Sequence, residues 1–467
     1  MNEKTVINGP VYDARTLGTP KMLILGLQHM FAMFGATVLV PILTGIDIAT
    51  TLLFAGLGTL LFHLLTKRKV PAFLGSSFAF IGGYNAITGF DSSSGVPVNS
   101  DLLVYACFGV ACAGLMYVIL SALFKAFGVK KVMKFFPPIV TGPIIICIGL
   151  ILSSSAINNC NANWLVAVAA IVIVICFNIW GKGMTKIIPI LLGVIGSYII
   201  SMIVDPASRV AVAEKVAAAK WVGLPIVWEN SVFHLFSMDV DTGMLLSALF
   251  TIVPLSLATM VEHIGDVCAI SSTVGKNFVA DPGLHRTLLG DGLATTLAAL
   301  FGAPANTTYG ENTGVLALSK VYDPRVIRIA ACFAALLSFS PKFAAVISSI
   351  PTAVIGGISF ILYGMISAIG VRNVVESKVD FSKSRNVIIA AVILVCAFGI
   401  KYSTGMGFDA AAGIDGALSF NVFGASIHLS GLAVAALVGI ILNAIFPGND
   451  YVFDNDKGEE TGVNFKL

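Results

Sequence analysis

Charge is what this chain has least of. Only 11% of its 467 residues are Asp, Glu, Lys or Arg, while 57% are hydrophobic; ordinary soluble domains are roughly a quarter charged. So much apolar surface cannot be hidden in a water-soluble fold, and that class is excluded. The net charge of +3 is too small to suggest a nucleic-acid partner. The eight cysteines (107, 112, 147, 160, 176, 268, 332, 396) include no CxxC pair, so no metal site follows from them. Most lie in apolar runs and are expected to be buried free thiols acting as small hydrophobes. There is no HExxH and no Ser/Lys or paired-Asp arrangement in a protease's context, which argues against an intramembrane enzyme, and no cofactor is expected. The first 20 residues carry no signal-peptide pattern, so the first membrane helix is expected to serve as the insertion signal.

What the chain has instead is apolar length. Fourteen stretches near the size needed to cross a bilayer are read at roughly 22–45, 48–65, 71–88, 102–124, 138–158, 163–180, 186–203, 244–270, 287–302, 307–320, 325–345, 350–370, 387–403 and 427–446. The third and tenth are short and interrupted, by Pro71 and Gly75-Ser76-Ser77 in one and by Pro304 and Gly310 in the other. One long polar connection, about 205–243, separates the seventh and eighth. An even count puts both termini on one side. Of the 28 Lys and Arg, only Arg209, Lys215, Lys220, Lys342 and Lys401 fall in the loops opposite the termini, so both termini are expected in the cytoplasm.

A weak internal repeat runs through the chain. Gln28-His29 in segment one matches Glu262-His263 in segment eight. Ser76-Ser77-Phe78 in segment three matches Thr307-Thr308-Tyr309 in segment ten, and Pro137–Gly142 matches Pro351–Gly356. Seven segments per half is an odd number, so the halves are expected to be inverted with respect to each other. The expected fold is an all-α polytopic membrane protein, with fourteen transmembrane segments in two inverted repeats of seven.

The run Asn306-Thr307-Thr308-Tyr309-Gly310-Glu311-Asn312 places a carboxylate and a helix breaker at bilayer depth. Polar, non-helical backbone survives there only beside a cavity or packed in protein, and secondary transporters build solute sites from such breaks. Facing half-helix N-termini would offer free N–H groups, expected at Phe78 and Gly310. Phe78 adds a flat face for a planar ring, although core packing is the bland alternative. Ser77 and Tyr309, beside them in the two breaks, join the candidate set. Glu262 and Asp266, i and i+4 on one helix face, form an acidic pair whose proton affinities are coupled. That suits a proton-coupled carrier; the bland reading leaves Asp266 solvated at a segment end. His263 and His29 are candidates for the same proton, each with a structural alternative. Asp291 reads as complementing a helix N-terminus, Glu376-Ser377-Lys378 as a solvated loop, and Asp281-Pro282-Gly283 as a turn. His63, His234 and His428 show no partner.

Leu27–Thr37, Leu74–Phe80, Asp281–Arg286 and Asn306–Asn312 together closely resemble the bacterial uracil permeases of the nucleobase–ascorbate transporter family. The resemblance spans about residues 22–445. It implies short strands in segments three and ten, proton symport, membrane lipid as surroundings and a homodimer. It also implies a division into a tail (1–21), core (22–124), gate (125–203), outer connection (204–243), core (244–345), gate (346–446) and a second tail (447–467). Carried over, Glu262 and Glu311 bind the nucleobase by side chain, Phe78 and Gly310 by backbone amide, and Tyr363 approaches from the gate. Uracil's two N–H donors and two carbonyl acceptors match two carboxyl groups and two amides, and a mismatched ring would leave buried groups unpaired. One departure stands out: such permeases commonly have His where this chain has Asp266, and purine-type members can have Asp. Glu311 is uracil-like, whereas xanthine-type members often carry Gln. The alternatives are therefore a xanthine or purine permease or, outside the class, an anion transporter or channel, against which two acidic site residues argue.

Overall fold

In the computed structural model the described residues are 9–91, 96–97, 99–407, 416–422 and 425–448. They are mostly helical. The helices of eight residues or more are α1 (Thr19–Thr44), α2 (Ile48–Leu65), α3 (Ile81–Thr88), α4 (Leu103–Phe127), α5 (Pro138–Cys160), α6 (Trp164–Trp180), α7 (Pro189–Val204) and α8 (Pro206–Ala218). They continue with α9 (Thr242–Ile252), α10 (Leu255–Val274), α11 (Leu284–Leu300), α12 (Gly310–Ser319), α13 (Pro324–Ser338), α14 (Pro341–Ser348), α15 (Thr352–Glu376), α16 (Ser384–Lys401) and α17 (Gly431–Ile445). Strands β1 (Leu74–Ser76) and β2 (Asn306–Thr308) pair antiparallel, and β3 (Ala417–Val422) pairs with β4 (Ala425–Ser430). Among the described residues seven helical spans are long and apolar enough to cross a membrane; an eighth is made if α13 and α14, bent by 90°, count as one.

The helix ends follow the sequence locally. Pro at the first position starts α5, α7, α13 and α14, where its missing N–H costs nothing. Asp47 caps α2 by accepting from Thr50 N at 2.7 Å, and Asp241 caps α9 through Gly243 N and Met244 N. Gly45, with φ 76°, ends α1 in the left-handed conformation.

The helices pack in two groups. In the first, α4 and α2 both lie on α11, and α13 packs on α2 and α1. In the second, α5 packs along α15, α6 joins α7 and α15, and α16 joins α17 and α5. Helix α10 touches both, meeting α4 and α12 on one side and α5 and α17 on the other. With lipid outside, apolar burial does not drive helices together, so close backbone approach must. A Cβ added at Gly114 would come within 2.7 Å of Gly292 O, and one at Gly370 within 2.8 Å of Gly142 O. Each group is closed by such a glycine crossing.

Several boundaries differ from the sequence reading. Segment eight is α9 plus α10, broken around Pro254 and extending to Val274. The polar connection contains α8. The start of segment fourteen is strand: the helix begins only at Gly431, with Ser430 capping Ala433 N, because Ser426-Ile427-His428-Leu429 alternates at strand period. His428 Nδ1 there meets Ser419 Oγ at 2.8 Å. Only Cys107, Cys147 and Cys160 of the eight thiols are buried, and Cys176 and Cys332 are exposed on apolar helices; in a membrane protein an apolar run can face lipid as well as core.

Candidate substrate site

Where the two interrupted segments meet, Leu74 lies opposite Thr308, Gly75 opposite Thr307 and Ser76 opposite Asn306. Bonds from Ser77 N to Ala305 O (2.8 Å) and from Tyr309 N to Phe73 O (3.0 Å) extend the pairing at both ends. The remaining backbone groups are held from behind by threonines. Thr59 Oγ1 of α2 accepts from Leu74 N at 2.9 Å and donates to Leu74 O at 3.2 Å. Thr295 Oγ1 of α11 does the same for Asn306, at 3.2 and 2.9 Å. Buried peptide groups must be paired, and the two hydroxyls do this for Leu74 in one strand and Asn306 in the other.

Both chains then turn into half-helices. Phe78 opens the turn Phe78–Phe80 that leads into α3, and Gly310 opens α12. First-turn amides have no intrahelical acceptor and carry the positive end of the helix dipole. Phe78 and Tyr363 of α15 meet edge to face, 5.7 Å between centroids. A Cβ on Gly310 would stand 3.5 Å from Ile369 Cδ1, also on α15. The structure thus brings Phe78, Gly310 and Tyr363 around one helix of the second group.

Asp266 is buried and accepts from Thr308 Oγ1 at 2.8 Å, which ties α10 to β2. With Gly310, Thr313 and Ile369 it lines a cavity of about 570 Å³ that reaches Arg372 and Glu376. The solvated reading of Asp266 does not hold. Glu262, one turn earlier, is half-buried. Glu311 follows Gly310 in α12 and its side chain lies outside the described residues. A second cavity, about 340 Å³, is lined by Phe78, Ser155, Asn158, Lys401 and Tyr402. Lys401 ends α16, whereas Arg372 and Glu376 of the first cavity lie at the C-terminal end of α15. Arg372 and Glu376, lining the first cavity, are an i, i+4 ion pair at 2.5 Å.

Two candidates turn out to hold structure. Tyr309 is engaged within the crossing: its hydroxyl donates to Ser76 O at 2.9 Å and meets Thr37 Oγ1 at 3.3 Å. Its ring covers Gly75, where a Cβ would lie 2.4 Å from Cε2. His263 points away into the first helix group, with Nδ1 2.8 Å from Asp291 Oδ2 and both side chains fully buried. Asp291 therefore does not cap a helix. The helix starts at Leu284, so Asp291 sits two turns inside it, where a buried carboxylate needs a partner. His29 is buried and is met by Asn312 Nδ2 at 3.2 Å to Nδ1 and 3.1 Å to its own carbonyl. That places it against the first turn of α12. Ser77 Oγ is buried with no hydrogen-bond partner among the described protein atoms. Sequence reasoning missed the anchoring roles of Thr37, Thr59, Thr295 and Asn312. A threonine in the helix before each break was the available signal.

Long apolar helices around a polar strand crossing, with a cavity beside each half-helix, define a multi-pass membrane transporter rather than an enzyme. The chain belongs to the Permease family, which it matches over residues 20–406. It is 39% identical to the uracil permease of Bacillus caldolyticus over 462 residues, covering 96% of this chain and 98% of that one. Against the uracil permease of Escherichia coli (strain K12) identity is 36%, covering 90% of each. Among solved structures, the transmembrane domain of the cyanobacterial bicarbonate transporter BicA has a TM-score of 0.57 at 16% identity, covering 93% of this chain and 99% of that one. SLC26A9 has a TM-score of 0.61 at 13% identity, covering 93% and 66%. These two share the fold alone.

Proposed function

We propose that this permease carries uracil into the cell by proton-coupled symport, with alternating access about the strand crossing. The similarity to uracil permeases over nearly the whole chain is the observation that carries the substrate. The paired half-helix N-termini at Phe78 and Gly310 support the mode of binding. Their amides take the two carbonyls of uracil, and Glu262 and Glu311 take its two N–H groups. Tyr363 closes the site from the second helix group. Ser77 contributes its buried hydroxyl, and Tyr309 serves by holding the crossing in shape.

The antiparallel strands, each clasped by a threonine of the preceding helix, support two inverted repeats of seven segments. The two packing groups support a core built from 22–124 and 244–345 moving against a gate built from 125–203 and 346–446. Both termini, with the tails 1–21 and 447–467, lie in the cytoplasm, the connection 204–243 lies outside, and the permease works as a dimer. Asp266 carries the coupling proton together with Glu262. Its bond to Thr308 makes the strand crossing sensitive to whether the carboxyl is charged. His29, held by Asn312, is the alternative acceptor. His263 is occupied by Asp291 and serves the core.

Asp266 also favours a second reading, a permease for xanthine or another purine. Uptake of labelled uracil into proteoliposomes, with and without an inward proton gradient, tests both. Gradient-driven accumulation that excess unlabelled uracil abolishes and xanthine does not is expected. Accumulation that xanthine competes away more strongly would assign the purine reading, and uptake indifferent to the gradient would remove proton coupling.

A further inference from the structure

Apart from the two cavities at the crossing, an apolar groove of about 550 Å³, which shares Phe136 with the first of them, lies between α4, the short helix Val129–Met133, α10 and α17. Its rim is formed by Ile119, Leu123, Phe127, Phe135, Leu437 and Ile441, all exposed. On a membrane protein such a rim faces lipid tails and by itself selects nothing. What distinguishes this groove is its mouth. Lys131 lines it directly, and at Phe135 it adjoins a smaller space of about 300 Å³ lined by Lys134, Asn443 and Gly448.

The smaller space is braced by the side chains of Asn443 and Arg385. Asn443 Nδ2 donates to Lys134 O at 2.7 Å. Arg385 Nη2 donates to Asn443 O at 2.9 Å and to its Oδ1 at 2.8 Å. Arg385 Nε, in the same guanidinium, is buried without a hydrogen-bond partner among the described residues. None of the described residues lining either space is acidic. Lys125 and Lys130 are exposed on the same stretch of chain. An apolar groove that ends at Lys131 and Lys134, with Arg385 bonded to Asn443 behind them, matches one kind of molecule, a phospholipid whose headgroup is negatively charged. Basic pockets between membrane helices recognise such headgroups through charge, with the tails supplying apolar burial.

We infer that this groove is a binding site for an anionic phospholipid, its tail between α4, α10 and α17 and its headgroup phosphate on Lys131 and Lys134. Helices α4 and α10 belong to or border the first packing group, and α17 belongs to the second. The lipid therefore bridges the two bodies whose relative movement transport requires.

The site is tested by placing a reporter at its mouth. The full-length Phe135→Trp protein is reconstituted in nanodiscs containing dibrominated phosphatidylglycerol or dibrominated phosphatidylcholine, and its emission is compared with that of the parent chain. Bromine quenches tryptophan on contact, so half-quenching reports occupancy. Phosphatidylglycerol is expected to reach it at about a fivefold lower mole fraction than phosphatidylcholine, the scale set by one lysine near a headgroup. Adding Lys131→Gln and Lys134→Gln should bring the two lipids to the same value, with an unchanged elution profile showing that the fold persists. Should the double variant fail to fold, Lys131→Gln alone is expected to reduce the preference. Equal quenching by both lipids in the Phe135→Trp protein, no quenching by either, or a preference untouched by loss of the lysines would each overturn the assignment.

Discussion

The two interrupted segments share a backbone plan and differ in what their side chains do. Each has a strand of three residues, clasped from behind by a threonine, followed by a half-helix. The first is held almost entirely through its backbone: Ser76 Oγ, donating to Thr37 O at 2.7 Å, is its main side-chain tie, and it presents Phe78 to the opposite helix group. The second is tied through side chains that reach elsewhere, Thr308 to Asp266, Tyr309 to Ser76 and Asn312 to His29. Asn306 Nδ2 adds a bond to Phe54 O at 3.2 Å. On the proposed reading, backbone symmetry supplies two facing amides, and the asymmetry of the side chains leaves the aromatic contact with Tyr363 to the first arm and the link to a buried carboxyl to the second.

Breaking the second arm is expected to cost most. Gly310→Val should abolish uptake, because a branched side chain would occupy the space between α12 and Ile369 that the ligand ring needs, whereas Gly310→Ala, with its Cβ at ordinary contact distance from Ile369, should retain much of it. Normal uptake by a correctly inserted Gly310→Val protein would place the site elsewhere. Asp266→Asn keeps an acceptor for Thr308 but cannot exchange a proton. It should exchange internal for external uracil at a near-normal rate and lose gradient-driven accumulation. If the variant still concentrates uracil with unchanged pH dependence, the coupling proton lies with Glu262 or with a histidine, His29 or His263. Glu311→Gln should weaken uracil binding at least about tenfold, the loss of one charge-assisted bond at roughly 1.5–3 kcal/mol, read by calorimetry on the purified protein. Unchanged affinity would remove Glu311 from the site.

The first arm should yield smaller effects that separate scaffold from contact. Gly75→Ala drives a Cβ into the ring of Tyr309 and should destabilise the protein by about 1–3 kcal/mol. Gly82→Ala in α3, where a Cβ would meet nothing within 4 Å, should be neutral or slightly stabilising. Thermal unfolding in detergent compares the two, and equal melting temperatures would mean the crossing does not depend on that close approach. Phe78→Ala should be mildest, a few-fold loss of binding from missing ring contact, because the amide remains; a loss as large as that of Glu311→Gln would show that the ring, not the amide, is the binding group.

Much of this was legible before any coordinates. Charge scarcity and apolar length dictate a membrane protein, because lipid tolerates neither exposed polar groups nor unpaired backbone. Gly75-Ser76-Ser77 and Pro304 with Gly310 mark where the helices must break, and the order of matching motifs marks those breaks as counterparts. These are local properties, fixed by hydropathy and by φ, ψ preferences of a few residues. What the tertiary structure alone decided is which polar groups meet. Nothing near Asp291 in sequence indicates His263 on another helix as its partner. Nothing in the sequence around Tyr309 shows that its ring lies over Gly75, and it is burial and the bond from Thr308, 42 positions away, that set Asp266 apart from a solvated residue. The division of the helices into two groups, and the groove left between them, likewise depends on contacts between residues far apart in the chain. In lipid every helix is apolar outward, so hydropathy cannot say which neighbour a helix takes; close glycine approach and buried hydrogen bonds decide it.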